Sequence, residues 1–331
     1  MKILLAVQGT GNGHISRARD IISLLQNFGE LDLAISGTQA DVNLEEEIKY
    51  RFYGFSFIFG INGGVDRWAT FKKAKLGQLW KDINSVPVEN YDLIVNDFEP
   101  VTAWACKFKK LPCIALSHQS AFLSSKSPRP QNKWNWAEWV LKYYAPSTAA
   151  VAFHFERYDD FIYTPVIRKE IRDLKISNLG HYTVYLPAFG DKILLDILGN
   201  IPGINWIVFS KHTKQEYRSG NIHFRIVQNH EFNLSLASCS GFLTGGGFEG
   251  PAEALFLGKK LFSIPMSGQW EQLCNAAALE KLGVRVFWDH PKKLKGKIKE
   301  WVELDQPLKV NFEDQTRIII ENLVKKYAKN G

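Results

Sequence analysis

Three glycines in a row, Gly245, Gly246 and Gly247, follow the apolar run 242–244 and lead into Phe248, Glu249, Gly250, Pro251 and Glu253. The apolar run reads as the end of a buried strand, and the segment after the glycines as a helix. Glycine lets a backbone approach a ligand closely, and Pro251 suits a first helical turn, where its missing N–H removes no bond. A strand end, a bare turn and a helix N-terminus together make an anion site, because free N–H groups and the helix dipole converge on the guest. A phosphate or diphosphate is the natural guest. Glu253, about one turn inside the helix, stands where a carboxylate accepts hydrogen bonds from a ribose diol. Past a second apolar run, 260–264, and a polar turn, 266–270, Glu271 and Gln272 open a further helix. Both side chains are able to bond sugar hydroxyls.

A second group lies near the start of the chain. Residues 3–7 form a buried-strand run, the turn Gly9-Thr10-Gly11-Asn12-Gly13 follows, and His14 stands at the mouth of a helix that carries Arg17 and Arg19. Gly9 and Gly11 match the dinucleotide fingerprint, but His14 takes the place of its third glycine, which leaves a weak argument for NAD. An imidazole titrates near neutrality and suits a general base; a histidine here can equally bond its own turn. The apolar run 92–96 ends in Asp97-Phe98-Glu99-Pro100. Ligands of open parallel sheets collect at the carboxyl ends of strands, so Asp97 is expected to face His14 as a dyad. The other reading of a strand-end aspartate is a cap on the next helix. Glu99 is a second carboxylate in reach, placed to replace Asp97 or to touch an acceptor. The run 113–116 ends in Ser117-His118-Gln119-Ser120, which puts His118 on the same rim as an acceptor contact or as a satisfied loop histidine.

The elements between these groups alternate in type: strand 31–36, helix 40–49, strand 52–59, a glycine-bearing loop 62–66, helix 68–83, and a strand at 149–153. Such alternation implies parallel sheets and a doubly wound α/β fold. The pattern restarts near residue 181 with another strand and turn, followed by helix 191–198 and strands 204–209 and 222–227. Two Rossmann-like domains facing a cleft account for both openings: an N-terminal domain over 1–165, a linker over 166–180 and a C-terminal domain over 181–311. Residues 312–327 read as a long amphipathic helix.

At 331 residues the chain is long enough for two domains, and its 45% hydrophobic content is that of a globular protein. No apolar run approaches a membrane span, and the first residues lack a cleavage site. Four cysteines, at 106, 113, 239 and 274, show no metal-ligand spacing and read as small buried hydrophobes of a reducing cytosol. The net charge of +7 favours anionic partners, such as a nucleotide diphosphate, an anionic glycolipid or a membrane face. No nucleic-acid motif accompanies the charge, so nucleic acid is not expected as a partner. A basic, proline-punctuated loop, 126–133, precedes Trp136, Trp139, Val140 and Tyr143 at helical spacing, with Trp134 and Tyr144 nearby. This stripe either rests on a membrane or lipid-linked acceptor or packs in the N-terminal domain. Lys292, Lys293, Lys295, Lys297 and Lys299 form a basic run whose default is a solvated helix face.

The order of Gly247, Glu253, Ala254, Gly258 and Pro265, then Glu271, Gln272, Asn275 and Ala276, resembles the donor half of GT-B glycosyltransferases. It looks most like the branch that holds the MurG-like enzymes and the plant-type UDP-glycosyltransferases. The resemblance implies GT-B architecture, a glycine turn for the diphosphate, Glu253 on the ribose and the acid–Gln pair on the sugar. It also implies His14 as the base that takes the acceptor proton, Asp97 as its partner, and the loop 228–231, with Asn229, as the seat of the nucleotide base. Gly11, Asn12, Gly13, Arg17, Glu99 and His118 fall on the acceptor side. The implied terminal helix, 312–331, crosses back to the first domain. The chain departs from the pattern twice. Phe248-Glu249-Gly250 replaces the plant-type Trp–Asn–Ser, and Pro187-Ala188-Phe189-Gly190 lacks the hydroxyl of the usual second phosphate turn. The extra acid, Glu249, is expected to contact the sugar or a basic neighbour.

The function so implied is an inverting, metal-independent transfer from a nucleotide-diphosphate sugar, with UDP-sugar expected, to a hydroxyl of a glycolipid or cell-envelope glycan. No cofactor is expected beyond the sugar nucleotide itself. The expected location is the cytoplasm, free or peripheral at the inner face of the membrane. Two rivals use the same residues: a UDP-sugar 2-epimerase of the same fold, and a non-catalytic binder of nucleotide sugars or glycolipids.

Overall fold

In the computed structural model, residues 1–9, 12–37, 46–53, 76–130, 136–289 and 293–329 are described, with the side chains of Asn12, Leu76 and Trp136 left aside. The first sheet holds β1 (Lys2–Gln8), β2 (Glu30–Ser36), β3 (Tyr50–Phe52), β4 (Leu93–Asp97), β5 (Ile114–Ser117), β6 (Ala149–Phe153) and β7 (Ile162–Tyr163). Its order is β3-β2-β1-β4-β5-β6-β7, every neighbouring pair parallel. The second sheet holds β8 (His181–Tyr185), β9 (Asn205–Ser210), β10 (Tyr217–Ser219), β11 (Ile222–Ile226), β12 (Gly241–Thr244), β13 (Lys260–Ser263) and β14 (Arg285–Val286). Its order is β10-β11-β9-β8-β12-β13-β14, parallel except for the β10–β11 pair.

The helices are α1 (Asn12–Leu25), α2 (Leu76–Ser85), α3 (Pro100–Lys109), α4 (Trp136–Tyr144), the single turn α5 (Lys169–Arg172), α6 (Asp191–Leu198), α7 (Asn229–Ser238), α8 (Glu249–Phe256), α9 (Trp270–Lys281), α10 (Leu294–Leu304) and α11 (Thr316–Tyr327). Central strands are buried on both faces, as the unbroken runs Ile3–Val7 and Leu93–Val95 require. A single cluster of buried apolar side chains runs from Ile3, Leu5 and Ile15 in the first half to Phe242, Ala252 and Leu279 in the second. Ile319, Ile320 and Leu323 of α11 join that same cluster, and Lys329 donates its N–H to the carbonyl of Asp92 at 3.1 Å.

Strand order reverses beside β1 in the first sheet and beside β8 in the second. These are the switch points at which open α/β sheets leave a crevice. The chain leaves β1 into the turn before α1, with β4 as its neighbour, so His14 and Asp97 come from adjacent strand ends. It leaves β12, the neighbour of β8, into Gly245. Both glycine turns therefore arise at a switch point.

Several elements differ from the sequence reading. Residues 46–49 are not helical, and 40–45 lie outside the described residues, as do the loop 62–66 and most of the expected strand 52–59. The expected helix 68–83 is described from Leu76 onward. The loop placed at 228–231 ends one residue in, because α7 begins at Asn229. Phe312 is a core residue ahead of α11 rather than its first turn. The lysine run is a charged face of α10 and the turn before it, with Lys293, Lys297 and Lys299 beside Asp289, Glu300 and Glu303; Lys292 lies outside the described residues. The four cysteines are free and buried.

Candidate active site

A cleft of about 700 Å³ separates the two halves, within the range of small-molecule sites. Its walls include His14 and Arg17 from α1, Gln119 after β5, Arg168 before α5, and Glu249, Glu253 and Glu271 from the second half.

On one wall the Nδ1 of His14 lies 2.8 Å from Oδ1 of Asp97. Burial by itself lowers the pKa of His14, but the Asp97 carboxylate outweighs it and the net direction is upward. Asp97 is pushed up by burial and pulled down further by Arg17 and His14, so it remains ionised. With Nδ1–H donating to Asp97, the lone pair of Nε2 is turned to the cleft, where Gln119 Nε2 approaches it at 3.3 Å. The same Gln119 amide donates to Glu271 Oε2 at 3.2 Å and so ties the two halves together. Behind the imidazole stands Phe98, its ring 6.4 Å from His14 and nearly parallel. Phe98 takes a left-handed φ of 57°, an uncommon conformation for a bulky residue and one that clusters at functional sites.

On the opposite wall, α8 starts at Glu249 with Phe248 as N-cap and no side-chain cap on its first turn. The first N–H groups of a helix have no intrahelical partner, and Glu249, Gly250 and Pro251 of this turn line the cleft beside Gly245 and Gly247. Gly246 is tightly enclosed: a Cβ there would stand 2.5 Å from the carbonyl oxygen of Gln272. Gln272 Oε1 accepts from the N–H of Gly246 at 3.2 Å and of Met266 at 3.0 Å, so this side chain shapes the turn. Asn275 Nδ2 donates to the Gly246 carbonyl at 3.0 Å.

Two arginines cross to α8. Arg168 grips Glu253 with Nε–Oε1 at 2.6 Å and Nη2–Oε2 at 2.9 Å. Burial pushes the Glu253 carboxyl up, against the pull of Arg168. Arg168 also reaches Asn229 Oδ1 at 3.3 Å, which puts the start of α7 beside Glu253. Arg17 holds both oxygens of Asp97, at 2.8 and 2.7 Å, and pairs with Glu249 across the cleft. Gly13 lies close against Glu249: a Cβ on it would be 3.4 Å from the carboxyl carbon. Glu249 thus has the basic neighbour that the sequence reading allowed for. Glu271 is pushed up by burial and lies near His14.

Two residues expected on the acceptor side have their side-chain polar atoms committed to bonds within the fold, although His118 also lines the cleft. Glu99 is fully buried and caps α3, accepting from Val101 N and Thr102 N at 2.7 Å each and from the Ser36 hydroxyl. Pro100 at the first helical position explains why the carboxylate folds back onto the next turn. His118 is 1% exposed, and burial pushes its pKa down to about 3. Its Nδ1 lies 2.8 Å from the Phe153 carbonyl and its Nε2 2.7 Å from Asn275 Oδ1, while its ring stacks on Phe248 at 3.8 Å. It fastens the first sheet to the glycine turn. Gly11 lies outside the described residues, and of Asn12 only the backbone, at the start of α1, is described.

Sequence reasoning missed Gln119, Arg168 and the bridging role of Asn275. Gln119 had a signal, since it follows a strand end on the rim. Arg168 had none, because its partner lies 85 residues away. Of the aromatic stripe, Tyr144 is buried against Phe98, while Trp139 is 64% exposed; Trp134 lies outside the described residues. No helix among the described residues is long and apolar enough to cross a membrane, and no group of three His, Cys, Asp or Glu residues among them could hold a metal ion.

The sequence model of glycosyl transferase family 1 matches residues 1–303. The chain belongs to this family. It is therefore a glycosyltransferase, and its architecture is GT-B. Solved structures of low identity agree on the fold. Acinetobacter baumannii MurG is 12% identical, with a TM-score of 0.56 over 98% of this chain and 99% of that one. Arabidopsis thaliana UGT89C1 complexed with UDP-L-rhamnose is 13% identical, with a TM-score of 0.57 over 98% and 94%. Phytolacca americana UGT2 complexed with UDP-2fluoro-glucose and pterostilbene gives 13% and 0.57 over the same shares. No curated protein matches this glycosyltransferase in sequence.

Proposed function

We propose that this glycosyltransferase moves a sugar, with inversion and without a metal, from a nucleotide diphosphate donor to a hydroxyl acceptor. UDP-sugar is the donor favoured, since structures of the same fold hold UDP-L-rhamnose and UDP-2fluoro-glucose. The single observation that carries the reading is the pairing of His14 with Asp97 on one wall, facing the uncapped N-terminus of α8 on the other.

In this reading the acceptor hydroxyl approaches Nε2 of His14 and gives up its proton there as its oxygen attacks the anomeric carbon. Asp97 holds the imidazole by Nδ1–H and supports the imidazolium that forms. The bond to the diphosphate breaks on the opposite face, and the departing charge falls on the first turn of α8. Attack from one wall and departure toward the other support inversion. Glu253 and Arg168 would border the ribose, and Asn229 the base. A glycolipid or cell-envelope glycan is the acceptor proposed, in keeping with the net charge of +7 and with Trp139, exposed on α4 for contact with an anionic membrane face.

The test is calorimetric titration with UDP and UDP-sugars, followed by NMR of the anomeric centre in turnover with glycolipid acceptors. The reading expects UDP-sugar binding, product of inverted configuration, and binding without turnover in His14→Ala. Absence of binding to any nucleotide diphosphate would overturn it. Conversion of the free sugar nucleotide without acceptor would identify an epimerase instead.

A further inference from the structure

Glu249 and Glu253 are four residues apart on α8 and so share one helix face. Each is met by an arginine from outside the second sheet, Arg17 on Glu249 and Arg168 on Glu253. The Arg17 pair is the unusual one. Glu249 is the first residue of α8, and its carboxylate stands at the helix end that would take a diphosphate. Two anions this close do not coexist without a cation to share or an exchange of partners. Arg17 is that cation. It is 2% exposed, lines the cleft, and spends Nη2 on both oxygens of Asp97 and Nη1 on Glu249. Its Nε is buried and has no hydrogen-bond partner among the described residues, so the group holds a donor in reserve.

We propose that Glu249 is a stand-in anion, and that the donor's diphosphate displaces it from Arg17. The inference rests on the reading of the cleft as a nucleotide-diphosphate site, and it assigns Arg17, on the acceptor half, as the diphosphate's cation. Once displaced, Glu249 is freed toward the hydroxyls of the bound sugar. Arg17 remains on Asp97 throughout. Donor binding therefore replaces one bridge between the two halves with another, and keeps the charge beside the His14–Asp97 pair occupied.

The exchange predicts an unusual sign. Glu249→Gln removes the competing charge, so UDP and inorganic pyrophosphate bind about tenfold more tightly, in line with measured couplings of close charge pairs. Arg17→Lys weakens both by a similar factor. Uridine, which lacks phosphate, binds equally to all forms. In the Arg17→Lys background the gain from Glu249→Gln shrinks or vanishes, because the acid acts through the arginine. The measurement is calorimetric titration of each ligand at two salt concentrations, with circular dichroism to confirm folding. Unchanged or weaker UDP binding in Glu249→Gln overturns the exchange, as does an equal shift for uridine. If the unaltered protein binds neither UDP nor pyrophosphate, the nucleotide-diphosphate reading itself fails, and the exchange falls with it.

Discussion

His14 and Asp97 come from different elements, 83 residues apart, yet their side chains meet at 2.8 Å because β1 and β4 are parallel neighbours with Val7 opposite Asp97. The contact sets the basicity of the imidazole. Burial lowers the His14 pKa, Asp97 raises it to a net upward shift, and Arg17 opposes Asp97. A base works in its neutral form, so activity rises as pH passes its pKa. Asp97→Asn removes the upward pull, and the acid limb of the kcat/KM profile is expected to move to lower pH. A kcat loss on the order of 10²–10⁴ is expected to accompany it. A pH–rate series on the variant checks both, and a limb that moves to higher pH contradicts the assignment.

His14→Gln should reduce kcat by about 10²–10⁴ while UDP affinity stays within about twofold, because the imidazole lies on the wall opposite the start of α8. Titration and initial rates on the same sample separate the two effects. A parallel loss of UDP binding would place His14 on the donor.

Gly246→Ala tests the close approach at the turn. The added methyl would lie 2.5 Å from a backbone oxygen of Gln272, and the turn is fixed by Gln272 and Asn275 on either side. Since neither backbone can yield cheaply, the variant is expected to lose about 1–3 kcal/mol of stability and to bind UDP weakly. Gly247→Ala meets no atom within 4 Å and should leave stability nearly unchanged. Thermal melts of the pair decide the point.

Arg168→Ala leaves Glu253 buried without its partner. Removing one member of a buried pair costs about 3–5 kcal/mol. The double variant Arg168→Met, Glu253→Gln should recover much of that loss, because no buried charge remains, yet bind nucleotide poorly. Denaturant titration of the three proteins, with UDP binding alongside, distinguishes a purely structural pair from one that also serves the ribose.

Much of this was legible because short-range rules and sheet topology act together. The bare turn at Gly245–Gly247, the helix behind it and the strand-end position of Asp97 follow from residue type and order. Glu99 shows where such reasoning stops. A carboxylate two residues past Asp97 looks available, but Pro100 starts a helix, and the cap captures Glu99 before any ligand can. His118 and Gln119 are sequence neighbours on one rim. Only packing against the second half decides that the histidine stacks on Phe248 and bonds Asn275 while the glutamine bonds His14 and Glu271. Arg168 and Arg17 carry the same limit, since a cation's partner across a cleft leaves no local trace in sequence.

The packing of α11 has a bearing on biosynthesis. Ile319, Ile320 and Leu323 complete a core begun by Ile3 and Leu5, and Lys329 reaches back to the carbonyls of Tyr91 and Asp92. A ribosome therefore releases the first sheet with an apolar flank uncovered, and that flank is sealed only after residues 316–329 emerge. Nascent chains halted before that point should recruit chaperones through the half that was made first.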